Sequence, residues 1–576
     1  MTRDLAAGTF RLAVPLPRLV VVLGVVGLLL LAIVGRVGWM VTHEREFLQR
    51  QGEQRFERLV EVPAARGRLL DRRGVILADS VMTQAIWVDP LRLKEASVEQ
   101  LEQLAKLLGM TPEQLESSIK SGGRRFAYLK RQAPVELAEA VSARKIPGVG
   151  LLPDPRRVYP HRSVVANVIG LTDLDGNGIE GVERGFDALL QGRRGRLVVT
   201  QDRQGRPVQE GEWLEAPQPG KDIVLALDLR LQTIALQAVT AAVAEHRAKA
   251  GTAVVIDVKT GEVLAMANVP TFDPEFRQNL NWAELRNRAI TDSYEPGSVI
   301  KPILVALGLE RGVVKPETRI DVRGGVIQVA GHAIHDAHAS DRPLTVTEIV
   351  QKSSNVGVVK IAQMLPAEAV VSHYRRFGFG LRPELPFPGA TGGRIFSAKS
   401  IKPIELATMA YGHGMSASLL QVASAYQALA YDGCRLPLSF VRVESPPVCR
   451  ESDQVVSQAT ARAVQKMLAS VTEEGGTGLK ARVVGYSTAG KTGTARKLEN
   501  GVYVHKYVAS FVGYAPASNP RLVVAVMIDE PQGKAYYGGS VAAPVFAEIV
   551  RQALPAIGVL PDQPVPFLAE RRPPQS

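Results

Sequence analysis

The chain has 576 residues, 46% of them apolar and 22% charged, with a net charge of +12. That length supports two or three domains with sizeable cores, and the composition excludes fibrous and disordered classes. The basic excess is spread along the chain, which suits a membrane surface or a polyanionic wall as well as nucleic acid, and two cysteines exclude a disulfide scaffold or a Cys-rich zinc module.

Leu19 to Gly35 is an uncharged run, and apolar residues resume after Arg36 with Val37, Trp39, Met40 and Val41. This is long enough to span a bilayer if Arg36 snorkels, and no small-residue cleavage pattern follows it, so it reads as an uncleaved anchor. Three arginines on each side leave its orientation open. A charged stretch, Glu44 to Val60, is expected to be helical. Arg66, Arg68, Arg72 and Arg73 surround a turn ahead of apolar Val75 to Ala78. Ser97 with Gln100, and Thr111 with Pro112 and Gln114, are capping-box starts of two helices. Arg157 to Pro160 and Asp175 to Gly185 read as loops, so this region is a loop-rich module without evident chemistry.

Ala216 to Gly220 has linker composition. Beyond it, Leu229 to His246 has helical periodicity, and Thr252 to Ala267 is an apolar run split by a turn at Lys259 to Glu262, a β-hairpin pattern. Tyr507 to Tyr514 and Leu522 to Ile528 read as strands, and Ala417 to Tyr431 and Val456 to Glu473 as helices. The expected fold is α+β, an antiparallel sheet with helices on both faces, its strands drawn from both ends of the domain around an all-helical insertion. Cys434 and Cys449 are either a bridge closed by a returning segment or two separate thiols. Five prolines between Pro561 and Ser576 predict a disordered tail.

Three motifs stand in order: Ser298-Val299-Ile300-Lys301, Ser353-Ser354-Asn355 and Lys491-Thr492-Gly493-Thr494. Decoys exist at Ser117 to Lys120, Ser142 to Lys145 and Lys259 to Gly261, but only Ser298 opens an apolar helix, with Pro302 in its first turn. Lys301 falls on the same helix face as Ser298. A buried amine, pushed toward neutrality with Lys491 as a second cation, activates a serine, and the helix N-terminus offers N–H groups to an oxyanion. Gly490 and Gly493 let an extended peptide approach the strand, where Lys491, Thr492 and Thr494 hold a carboxylate. His332, His335 and His338, with Asp336 and Asp341, have metal-like spacing, but flanking Gly331 and alanines suggest a flexible loop instead. Arg124, Arg125, Lys130 and Arg131 form a charge run, read as a solvated face.

The set resembles the penicillin-recognising serine acyltransferases. Ser-Ser-Asn in place of Ser-Asp-Asn points away from class A β-lactamases, and Arg66 to Ala78, Arg157 to Pro160, Gly181 to Asp187, Arg286 to Ala289, Gly412 to Tyr426 and Tyr536 to Phe546 resemble class B penicillin-binding proteins, most of all the division-specific septal transpeptidases. The resemblance implies a cytoplasmic tail (1–18), a transmembrane helix (19–41), a non-catalytic dimerisation or pedestal module (42–219), a transpeptidase domain (220–556) and a disordered tail (557–576). It further implies Ser298 as nucleophile, Lys301 as base, Ser353 as proton relay and Asn355 as orienting residue. Lys491, Thr492, Gly493 and Thr494 form the substrate-binding strand, with the N–H groups of Ser298 and Thr494 as oxyanion hole. The implied partners are D-Ala-D-Ala stem peptides, β-lactams, the inner membrane, a SEDS-type glycosyltransferase (FtsW-like) and other division proteins. No metal, organic cofactor or nucleic acid is implied. A non-catalytic division scaffold, a side-wall transpeptidase and a hydrolase of the same fold, carboxypeptidase or β-lactam-degrading, are the rival readings.

Overall fold

The computed structural model describes residues 15–44, 57–123, 126–200, 212–277, 280–533 and 535–565. They form two compact units. The smaller, Met1–Pro63 with Arg194–Gln218, contains helix α1 (Leu16–Thr42) and a three-stranded antiparallel sheet of Glu57–Val62, Gly195–Thr200 and Glu212–Glu215. At 1.5 Å per residue α1 is about 40 Å long, and among the described residues it alone is long and apolar enough to cross a membrane. Arg36 donates to Glu44 at 2.9 Å, which keeps its charge from standing alone. The helix expected over Glu44 to Val60 is corrected in part: Glu57–Val62 is a strand, because it pairs with Gly195–Thr200, a partner no local pattern announces. Residues 45–56 lie outside the described ones.

In the larger unit, residues Ala64–Arg193 build a sheet on the long strand Ile76–Val88, flanked by Val149–Val158 and Ala127–Ala133. Both capping boxes are present, at Ser97 with Gln100 and Thr111 with Gln114. The two helices press Leu104, Leu108 and Leu115 onto Ile86, Val88 and Leu129. Arg157 and Val158 end a strand instead of forming a loop. Arg131 of the charge run is ion-paired to Asp154 at 2.8 Å and Asp175 at 3.0 Å; residues 124 and 125 lie outside the described ones.

The arginine-rich turn has a structural task. Glu183, fully buried, accepts from Arg66 Nε and Arg157 Nε at 2.7 Å each, and Asp187 accepts from Arg66 Nη1 at 2.7 Å. Neutralising Glu183 takes the carboxylate partner from buried Arg157 and leaves Arg66 with Asp187 alone. Glu183→Gln should therefore cost about 3 kcal/mol of folding stability, read as a lowered thermal midpoint of the full-length protein; an unchanged midpoint refutes the role.

The remainder of this unit runs through helix α2 (Leu229–Glu245), strands β1 (Ala250–Asp257) and β2 (Val263–Val269), and helices α3 (Lys301–Glu310), α4 (Val346–Lys352), α5 (Asn355–Gln363), α6 (Leu419–Ala430) and α7 (Gln458–Val471). Strands β3 (Ala489–Glu499), β4 (Val502–Ala515) and β5 (Leu522–Asp529) and helix α8 (Gly538–Ala556) close it. The sheet order is β2-β1-β5-β4-β3, all antiparallel, with β1 paired residue for residue to β5. Strands from both ends of the domain thus meet at its centre, as the hairpin pattern implied. Alternate residues of β1 enter opposite cores: Ala253 and Val255 with α2 and α8, Val254 and Ile256 with the helical insertion. Burial on both faces explains the unbroken apolar runs. β3 is one of the two edge strands of this sheet.

Cys434 and Cys449 are bridged, with Cα atoms 6.1 Å apart. The expected disorder after residue 557 does not extend over Pro561–Val565, because the Asp562 carboxylate accepts from the Ser487 N–H at 2.7 Å and from the hydroxyls of Ser487 and Ser518.

Candidate active site

Ser298 lies in a 3₁₀ turn, Gly297–Ile300, that runs directly into α3. The turn is fixed from three sides. Gly297 has φ +59° and donates its N–H to Gly412 O at 3.1 Å, in a backbone contact so close that a Cβ on Gly412 would fall 2.3 Å from Gly297 O. Tyr426 of α6 donates to Val299 O at 2.8 Å. Gly493 of β3 lets the turn lie on the strand, since a Cβ there would meet Val299 Cγ1 at 2.9 Å and Ser510 Oγ at 2.3 Å.

Lys301 is fully buried at the first position of α3. Its Nζ donates to Ser353 O at 2.6 Å and Asn355 Oδ1 at 2.7 Å, and lies 3.2 Å from Ser353 Oγ. Ser353 ends α4 in the left-handed region, φ +64°, an uncommon conformation for a residue with a side chain, and this turns its carbonyl into the site. Asn355 donates Nδ2 to His335 O at 2.7 Å, which leaves Oδ1 aimed at the amine. Both close partners of Nζ are acceptors only. A neutral amine spends its hydrogens on them and keeps its lone pair for a hydroxyl.

Burial pushes Lys301 down to about 7, partly opposed by the negative charge of Asp336. The expected part of Lys491 in that shift is corrected: desolvation does it, and the influence runs the other way. Lys491, also fully buried, is held well below the ordinary lysine value by burial and then by the charge of Lys301. A buried ligand carboxylate beside Lys491 would restore its charge. Within β3 the Lys491 Nζ donates to Thr492 O at 3.2 Å and lies 3.3 Å from Thr492 Oγ1. Thr492 Oγ1 is 2.9 Å from Thr477 Oγ1, and Thr494 Oγ1 accepts from Gly538 N–H at 3.0 Å.

Asp336 was missed as a site residue. Its Oδ2 accepts from Ser354 Oγ at 2.8 Å, and its Oδ1 from the N–H groups of Asn355 and of Val356, the latter at 3.0 Å. It thus caps α5 and complements the positive end of that helix. The flexible-loop reading of its neighbourhood is also corrected: Val326–Val329 and His332–His335 form a hairpin that presents His335 O and Asp336 to the middle motif. Among the described residues no three of His, Cys, Asp and Glu gather as a metal would need. The decoys stay apart, with Ser117 on Pro112–Ser121, Ser142 ending Val135–Ser142, and Lys259 to Gly261 in the β1–β2 turn.

A serine on a helix-opening turn, a buried depressed lysine and a glycine-flanked edge strand define a serine acyltransfer site of the penicillin-recognising kind. Residues 251–551 match the penicillin-binding protein transpeptidase domain, and residues 61–225 the penicillin-binding protein dimerisation domain. The chain is 40% identical to the probable peptidoglycan D,D-transpeptidase PenA of Neisseria gonorrhoeae, over 96% of this chain and 95% of that protein. It is 39% identical to the peptidoglycan D,D-transpeptidase FtsI of Escherichia coli, over 95% and 92%. The apo transpeptidase domain of Burkholderia pseudomallei penicillin-binding protein 3 superposes with a TM-score of 0.54 at 42% identity, covering 59% of this chain and 98% of that one. The chain belongs to the penicillin-binding protein transpeptidase family, with the dimerisation module of its class B members.

Proposed function

We propose that this protein is a peptidoglycan D,D-transpeptidase acting in septal wall synthesis through a serine acyl-enzyme, and a target of β-lactams. The observation that carries the chemistry is Lys301: an amine fully buried, lowered to about 7, and held by Ser353 and Asn355 one turn from Ser298. Ser298 Oγ attacks the carbonyl of the penultimate D-alanine while Lys301 takes its proton. The N–H groups of Ser298 and Thr494 receive the oxyanion. Ser353 passes a proton to the leaving D-alanine nitrogen, and Asn355 orients Lys301. Lys491, Thr492 and Thr494 hold the terminal carboxylate, with Gly493 allowing the approach. Attack on the acyl-enzyme by an amine of a neighbouring stem makes the cross-link and releases Ser298.

Similarity to a protein named FtsI supports the septal setting. In this reading residues 1–18 are cytoplasmic, 19–41 span the inner membrane, 42–219 are the non-catalytic module, 220–556 the periplasmic transpeptidase domain and 557–576 a tail. A SEDS-type glycosyltransferase and other division proteins are the partners.

Penicillin should acylate Ser298 alone. Digestion and mass spectrometry of the labelled full-length protein check this. Label on Ser117 or Ser142, or label surviving in Ser298→Ala, overturns the assignment.

A further inference from the structure

The nucleophile turn depends on support from outside itself. Position 302 is proline, so Ser298 O cannot take the α-helical bond from four residues on, and it accepts from the Lys301 N–H in the 3₁₀ pattern. Bonds of that kind have the poorer geometry. Two contacts hold the turn from elsewhere in the fold: the Gly297 N–H donates to Gly412 O at 3.1 Å, and Tyr426 OH donates to Val299 O at 2.8 Å. The second is made by a side chain, so a substitution can remove it and leave the backbone intact.

Tyr426 is well fixed for such a task. It is fully buried, and α6, which carries it, is buried over all 12 of its residues. The next residue, Gln427, donates to Val258 O at 3.0 Å and accepts from the Leu436 N–H at 3.1 Å, which ties the helix to the end of β1 and to the segment that follows. Burial, and then the nearby hydroxyls of Tyr514 and Tyr294, raise Tyr426 well above the ordinary tyrosine value, so its hydroxyl keeps its proton and stays a donor. Those two hydroxyls are themselves buried and without a hydrogen-bond partner among the described residues. Of the three, Tyr426 alone bonds to the turn.

The position of the turn decides where the oxyanion donors stand. Gly297 lies against β3, where a Cβ on it would fall 3.4 Å from Thr494 O. In acyl transfer through Ser298, the N–H groups of Ser298 and Thr494 must converge on one oxygen, and a displacement of either weakens the transition state. Without the Tyr426 hydroxyl, Val299 O becomes a buried acceptor with no partner, a strain the turn relieves by shifting.

We propose that Tyr426 is a positioning residue for acyl transfer: by holding Val299 O from within the core, it sets the Ser298 N–H at the spacing from the Thr494 N–H that the oxyanion requires. This rests on the serine acyl-enzyme reading and adds to it a residue that never touches the substrate.

The test uses the full-length protein in detergent and benzylpenicillin over a range of concentrations, which separates non-covalent binding from the first-order acylation step. In Tyr426→Phe the acylation constant should fall roughly tenfold, equivalent to about 1.4 kcal/mol, with the dissociation constant of the non-covalent complex unchanged. The pH midpoint should stay at about 7, because the partners of Lys301, Ser353 and Asn355, are untouched. Incorporation of 4-aminophenylalanine at position 426 restores a ring donor and should recover most of the rate. Tyr514→Phe, which removes a buried hydroxyl that bonds to nothing in the same core, should leave both constants as they are. Undiminished acylation in Tyr426→Phe, an equal loss in Tyr514→Phe, binding weakened in step with acylation, or a displaced midpoint overturns the proposal. If Tyr426→Phe does not fold, 4-methylphenylalanine at 426 fills the hydroxyl's place without a donor and is read in the same way. Acylation that is the same in Ser298→Ala would sink the acyl-enzyme reading itself, a result distinct from a slowed first-order step.

Discussion

Replacing Lys301 by arginine should slow acylation by penicillin by on the order of a hundredfold or more, the scale of general-base catalysis. Arginine retains the positive charge and hydrogen-bond donors, but its guanidinium stays protonated at any working pH and has no lone pair to accept the Ser298 proton. The same logic sets the pH dependence of the native protein. In the proposed mechanism the neutral amine is the active form, and burial brings it down to about 7, so the rate should rise with pH through 7 and level off above it. At pH 6 it should be roughly a tenth of the plateau. Stopped-flow acylation of wild type and Lys301→Arg between pH 5 and 9 checks both. Near-normal acylation by the arginine variant, or a wild-type profile flat across pH 7, would assign the base to another group.

The sheet was legible because the two outer hairpins are buried on both faces, and such strands read as continuous apolar runs whatever their partners. The three motifs were legible for a different reason: each lies on an element whose boundary has a local signal, Ser298 at a Pro-Gly turn and Lys491 between glycines. What failed to read was whatever depends on a distant partner. Glu57–Val62 has the charge content of a helix and becomes a strand only through Gly195–Thr200. His332 and His335 have ligand spacing, yet the hairpin puts both in solvent and uses a backbone oxygen of one of them to aim Asn355. Glu183 bears no mark in its own segment of the two arginines that enclose it, one of them 117 residues away. Ionisation was also read in part only, since the depression of Lys301 follows from its complete burial, which the pattern of a single helix start does not reveal.

Asp336 is the residue on which this hidden layer turns, and its removal should be felt in rate and in pH dependence together. Asp336→Ala leaves three donors, Ser354 Oγ and the N–H groups of Asn355 and Val356, without their acceptor at the start of α5. Orphaned donors cost up to about 1–3 kcal/mol each when water cannot replace the acceptor, and these are partly buried; the α5 start is also what carries Asn355 Oδ1 to Lys301 Nζ. Acylation should fall by on the order of a hundredfold, the equivalent of about 2.7 kcal/mol at the transition state. Loss of structure alone would lower the rate without moving its midpoint. Asp336 acts on Lys301 by charge as well, raising its value against the effect of burial. Taking that charge away lets burial depress the amine further, so the acid limb of the profile should move below 7. Asp336→Asn separates the two effects, because its side-chain oxygen still accepts at the helix start while the charge is gone. It should keep more of the plateau rate than alanine and show the same downward displacement. A midpoint that stays at about 7 in both variants would mean that Asp336 supports the helix and does not tune the base.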